Sequence, residues 1–186
     1  MLCTLYDSGC RVQELADLKV KDVILDAQPV IVLTGKGNKT RRVPIMNNSV
    51  LLLKTYIQEQ NLDKSWKSDY PLFENNQHHK LTKEGISYIL MKYVAKARES
   101  SQSIPAKVSP HMLRHSKAMH LLQAGVALIY IRDFLGHNDI RTTEIYAKCD
   151  TESKRSAIES AYHDLIGSNL PDWNRDADLI EWLSKL

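Results

Sequence analysis

Six side chains stand out in this chain for what they could do together: Arg11, Lys36, His111, Arg114, His137 and Tyr146. Tyr146 offers a phenol nucleophile, whose unperturbed pKa of roughly 10 requires a cationic setting or a base before it ionises near neutral pH. Arg11 and Arg114 each present a planar fork that matches phosphate oxygens and stabilises charge growing on them. His137 adds a hydrogen bond to the same oxygens. The combination describes a site that grips a phosphodiester and attacks it. Two arginines perform the electrostatic work that metal ions do in two-metal nucleases, so no metal or other cofactor is expected. Glu14, one helical turn after Arg11, is expected to orient a catalytic side chain.

Each of these residues has a plainer reading. Arg11 and Glu14 at i, i+3 make an ordinary helix ion pair. His111 and His115 at i, i+4 suggest a metal site, but the zincin pattern needs a glutamate after the first histidine and Met112 stands there. His137 after Gly136 is a helix C-cap, and Tyr146 a core aromatic. The conjunction of all six decides for the chemistry. No catalytic role falls to His78, His79, His115, His120 or His163, and Ser116 and Lys117 are assigned only a contact to the backbone of the phosphodiester substrate.

The elements that must position these groups follow from periodicity and punctuation. The first fifteen residues read as one helix carrying Arg11, with Leu2, Leu5, Val12 and Leu15 as its apolar stripe. Val23-Ile24-Leu25, Val30-Ile31-Val32-Leu33 and Arg42-Val43-Pro44-Ile45 read as a three-stranded antiparallel sheet. Its second hairpin holds Lys36 near the tip, and Pro44 fits an edge strand. Helices follow after Asn48, from Thr82 to about Arg98 with Ile86, Ile89, Leu90, Tyr93 and Val94 inward, and from Ser109-Pro110 to Gly125. A short helix over 129–135 places His137 just past its end, and Tyr146 falls on or beside the next helical segment. The fold class expected is α+β, mainly α, with one small sheet.

Five runs carry these residues: Ser8-Gly9-Cys10-Arg11-Val12-Gln13-Glu14-Leu15, Gly35-Lys36-Gly37-Asn38-Lys39-Thr40-Arg41-Arg42-Val43-Pro44, Ser109-Pro110-His111-Met112-Leu113-Arg114-His115-Ser116-Lys117-Ala118, Leu135-Gly136-His137 and Thr142-Thr143-Glu144-Ile145-Tyr146. In this order they resemble the catalytic domain of the tyrosine recombinases, the phage integrase family, from the first residues to about Tyr162. The resemblance implies a site-specific recombinase or integrase that breaks and rejoins DNA through a 3′-phosphotyrosine, without metal or ATP. It makes His111 the proton acceptor for Tyr146, and Lys36 the general acid for the departing 5′-oxygen. Double-stranded DNA is the implied partner, with a homotetramer on DNA and a monomer or weak oligomer alone. Rival readings are a DNA-binding remnant without strand exchange and strand passage of the type IB topoisomerase kind. The family's N-terminal DNA-clasping domain and the opening helix of its catalytic domain are expected to be absent.

Composition fits this reading. At 186 residues with 43% hydrophobic and 25% charged, the chain is long enough for one real core. A net charge of +3 is too small to mark a nucleic-acid binder by itself. Its distribution is more telling, because Lys36, Lys39, Arg41 and Arg42 crowd one hairpin that is expected to contact DNA. Cys3, Cys10 and Cys149 are too few and too scattered for a disulfide framework or a zinc cluster. With no membrane-spanning run or signal peptide, a cytoplasmic, nucleoid-associated protein is expected. The catalytic domain is expected over 1–166, followed over 167–186 by a linker and a short amphipathic helix that docks on its own chain or on a neighbouring subunit.

Overall fold

A computed structural model describes residues 1–137 and 141–149. The helices expected over 152–166 and 177–186, the linker between them, and the side chains of Lys36, Ile145, Ala147, Lys148 and Cys149 lie outside the described residues.

The chain opens as two helices, α1 (Leu2–Asp7) and α2 (Val12–Asp17), and not as the single helix expected. Gly9 causes the break. It takes φ +54°, and a Cβ there would lie 2.9 Å from a ring carbon of Phe134, so only glycine turns the chain this closely against its neighbour. Leu5 and Leu15 are still buried, as the apolar stripe required. Arg11 becomes the N-cap of α2, with extended backbone at φ −73° and ψ 151°.

The sheet is as expected. Strands β1 (Val23–Ile24), β2 (Val30–Thr34) and β3 (Thr40–Pro44) pair antiparallel in that order, which leaves Pro44 on an edge strand. A 3₁₀ turn over Lys36–Asn38 forms the hairpin tip and places Lys36 there. Alternation along β3 buries Val43 and exposes Arg42, and Arg41 shares the inward parity of Val43.

The remaining α-helices among the described residues are α3 (Asn47–Glu59), α4 (Lys83–Ser100), α5 (Pro110–Gln123), α6 (Leu128–Leu135) and α7 (Arg141–Cys149). Thr82 and Ser109 cap α4 and α5 as expected, accepting from the backbone N–H groups of Gly85 and Met112. Helix α4 buries Ile86, Leu90 and Val94 along one i, i+4 stripe. Tyr93, expected inside, stands one position off that stripe and is exposed.

Among the described residues, two apolar clusters form the core. The larger gathers Leu5, Leu15, Ile31, Leu33, Val43 and Ile86 between α1, α2, α4 and the sheet. The smaller gathers Ala118, Ile131, Leu135 and Tyr146 from α5, α6 and α7. Phe134 packs against both. Each fully buried aliphatic side chain contributes roughly 1.5–3 kcal/mol, so the seam at Phe134 is held firmly from both sides. The candidate site lies along that seam.

Candidate active site

Arg114 ties the runs together. It lies on α5, is 3% exposed, and donates from Nη1 to the Gly9 carbonyl and from Nη2 to the Leu135 carbonyl, both at 2.6 Å. One bond holds the turn before Arg11 and the other the helix end before His137. Burial, with the nearby Arg11 and Arg41 cations, lowers Arg114 to about 10, which leaves it charged at neutral pH. Guanidinium has five N–H donors, and these two bonds leave donors for an oxyanion.

Arg11 is held from below by Glu14. The buried Glu14 carboxylate accepts the Arg11 backbone N–H at 2.8 Å and Arg11 Nη1 at 2.9 Å, so it caps α2 and aims the guanidinium at once. Arg41 grips the same carboxylate with both terminal nitrogens, at 2.9 and 2.7 Å, and its Nε donates to the Phe134 carbonyl at 3.0 Å. Burial raises the Glu14 carboxyl, but the bonds from Arg41 and Arg11 outweigh it and hold it at about 2. The sequence suggested that Arg41 contacts DNA. The structure turns its side chain inward as the second clamp on Glu14, as its strand parity with Val43 dictates. Lys117 is likewise committed, to Asp7 at 3.3 Å.

His137 follows α6, where Gly136 takes φ +65° and the His137 backbone N–H closes the helix on the Arg132 carbonyl. Its Nδ1 lies 3.0 Å from Oγ1 of the fully buried Thr143. A hydroxyl donating to Nδ1 puts the ring proton on Nε2, which can then donate to an anion. Burial, with Arg114, Arg11 and Arg41 beside it, lowers His137 to about 4. Thr143 is a positioning residue that motif reading passed over, although its i, i+3 spacing from Tyr146 puts both on one face of α7. His137, Arg11, Lys39, Arg41 and Asp133 line a predominantly cationic cleft of about 440 Å³, roomy enough to admit a phosphate group.

Tyr146 is 5% exposed, and its hydroxyl lies 2.6 Å from Nδ1 of His115. Burial raises the phenol above its usual range against the lowering effect of Arg114. The cationic setting alone therefore leaves a neutral phenol at rest, and a base is needed. His111, expected as that base, is exposed on α5, with its Nε2 2.6 Å from Nε2 of His115. The hydroxyl's partner is thus His115, a residue for which the sequence alone argues no catalytic role. The signal was present: i, i+4 spacing puts His111 and His115 on one helix face. Lys39 and Arg42 are exposed beside the hairpin tip that carries Lys36.

The chain is similar to known proteins of one family. Residues 1–153 match the model of the phage integrase family. Tyrosine recombinase XerA of Thermococcus kodakarensis is 39% identical over 159 residues, covering 84% of this chain and 52% of the relative. Tyrosine recombinase XerC of Halalkalibacterium halodurans is 40% identical over 162 residues, with 84% and 52% covered. The crystal structure of XerA recombinase superposes with a TM-score of 0.71 at 30% identity, over 87% of this chain and 55% of that one. A XerH site-specific recombinase in a post-cleavage complex with a palindromic difH substrate gives 0.67 at 30% identity, over 86% and 43%. The chain spans about half the length of the curated relatives it matches. With its family model matched across all five motif runs, this chain belongs to the phage integrase family.

Proposed function

We propose that the chain is the strand-cleaving part of a site-specific DNA recombinase that works through a 3′-phosphotyrosine on Tyr146. The observation that carries this reading is the Arg114 staple. A buried guanidinium bonded to the Gly9 and Leu135 carbonyls ties the turn before Arg11 to the helix end before His137, and Arg11 and His137 line one cationic cleft. In the reaction, Arg11 and Arg114 bind the non-bridging oxygens of a scissile phosphate and His137 donates a third hydrogen bond. The Tyr146 hydroxyl loses its proton and attacks phosphorus, and Lys36 on the hairpin tip protonates the departing 5′-oxygen. Attack by another strand's 5′-hydroxyl reverses the step, so the linkage conserves the bond energy without ATP. Glu14 holds Arg11 in place for this work.

Double-stranded DNA is the substrate, with Lys39 and Arg42 reaching its backbone. Similarity to a XerH recombinase crystallised with a difH substrate supports that partner. Assembly as a homotetramer on DNA and a cytoplasmic, nucleoid-associated location complete the reading. No helix among the described residues is long and apolar enough to cross a membrane.

The test is a nicked suicide duplex, drawn from a pool of element-end sequences, incubated with wild type and with Tyr146→Phe and resolved on a denaturing gel. A covalent adduct from wild type alone is expected. Binding by both proteins with an adduct from neither would overturn strand cleavage by this chain.

A further inference from the structure

Two consecutive short contacts lead from the nucleophile to solvent. Tyr146 Oη lies 2.6 Å from His115 Nδ1, and His115 Nε2 lies 2.6 Å from His111 Nε2. We propose that His115 is a catalytic residue of the cleavage step, taking the Tyr146 proton directly while His111 acts one position further along a three-membered relay. This rests on the cleavage reading above.

The hydrogen-bond inventory settles how the relay is wired. A neutral phenol that is to lose its proton donates to His115 Nδ1, so that nitrogen is unprotonated and His115 carries its proton on Nε2. The Nε2–H group then donates to His111 Nε2, which puts the His111 proton on Nδ1. Ring geometry agrees: His115 stands edge-on to His111, with centroids 4.0 Å apart at 81°, and tilted against Tyr146 at 5.4 Å and 60°. Burial falls along the same line, from Tyr146 through the partly buried His115 to the exposed His111. Burial also holds His115 below the ordinary histidine range, assisted by His111 and Arg114, so it rests neutral and able to accept.

The step balances. The Oη–H bond of Tyr146 breaks as an N–H bond forms at His115 Nδ1. The Nε2–H bond of His115 breaks as one forms at His111 Nε2. The electron pair left on Oη bonds to phosphorus, and the P–O5′ bond breaks toward the protonated leaving oxygen. His111 ends as an imidazolium at the surface, where water discharges it.

His115→Asn keeps an acceptor close to the position of Nδ1 but cannot pass a proton onward, and His115→Phe removes both functions. On the suicide duplex pool, both variants are expected to bind DNA and to melt close to wild type. Their first-order rate of adduct formation is expected to fall by about 10²–10⁴-fold, the range for a lost general base. The wild-type rate should level off above the His115 titration, whereas the Asn variant should keep rising with pH toward ionisation of the phenol. Independently of DNA, ¹⁵N shifts of the histidine rings should show His115 protonated at Nε2 only, and Tyr146→Phe should move its Nδ1 resonance. A protonated Nδ1, or an Asn variant with the wild-type rate and pH profile, would overturn the relay. If wild type forms no adduct, the cleavage reading fails by itself, while the ring-nitrogen shifts still decide whether the relay exists.

Discussion

Arg41 and Arg42 are adjacent arginines on one strand with opposite duties. Arg42 is exposed beside the hairpin tip, whereas Arg41 spends three nitrogens on Glu14 and the Phe134 carbonyl. Arg42→Ala is therefore expected to weaken DNA association and to flatten its salt dependence by about one phosphate contact. Arg41→Ala leaves a buried carboxylate with one partner fewer, so the Glu14 carboxylate that holds Arg11 is less firmly placed. Its adduct-forming rate should drop by about 10–100-fold, an order of magnitude set by misplacing one oxyanion donor, with a smaller change in DNA affinity. Filter binding across a salt series, paired with single-turnover cleavage, separates the two. Equal salt slopes for both variants would refute the division. The sequence already held this distinction in the strand's parity, since Arg41 alternates with Arg42 and matches Val43. A count of positive charges in the hairpin overlooked it. The motif runs likewise made Arg11, Arg114, His137 and Tyr146 legible. They could not show that the Tyr146 hydroxyl meets His115, because that contact depends on how α7 lies against α5.

At the scale of elements, two glycine turns set the site. Gly9 ends the first helical stretch so that its carbonyl meets Arg114, and Gly136 ends α6 directly beneath the Arg41 guanidinium. The apolar stripe over the first fifteen residues suggested one continuous helix, because hydrophobic spacing survives a tight turn between two short helices. Ser8-Gly9 was the turn signal within it. Gly9→Ala would place a methyl 2.9 Å from Phe134 and 3.1 Å from Leu135 at a left-handed backbone position. Strain of this kind costs about 1–3 kcal/mol, so a loss of several degrees in Tm is expected. At Gly136 the new methyl would meet Arg41 carbon and nitrogen at 2.9 Å. Arg41 is a flexible side chain and can yield, but only by leaving Glu14. Gly136→Ala should therefore lose more cleavage activity than Gly9→Ala for each degree of melting temperature lost. Thermal melts set beside single-turnover rates make the comparison, and proportional losses in the two variants would sink it.

For the molecule as a whole, the site is an acid-sensitive part of the fold. His137 is lowered from 6.5 to about 4 and Glu14 from 4.5 to about 2, so the native state binds fewer protons than the unfolded chain across both intervals. Stability rises with pH wherever the unfolded state holds more protons. The Glu14 contribution is thus fully present above 4.5 and is lost as pH falls toward 2. The His137 penalty is absent above 6.5 and grows as pH falls toward 4, with His115 adding to it in the same direction. Melting temperature should accordingly decline in two steps on acidification, and His137→Gln should remove much of the upper one. An anion in the cleft changes the sign of the local field. Bound phosphate stabilises the imidazolium that Arg114, Arg11 and Arg41 disfavour, so duplex DNA or millimolar inorganic phosphate should raise the His137 pKa and flatten the decline between pH 6.5 and 4. Melts over that range with and without phosphate, with Arg11→Ala to weaken the anion site, test the coupling. A phosphate effect equally large in Arg11→Ala would locate the anion elsewhere and separate the acid sensitivity from the catalytic cleft.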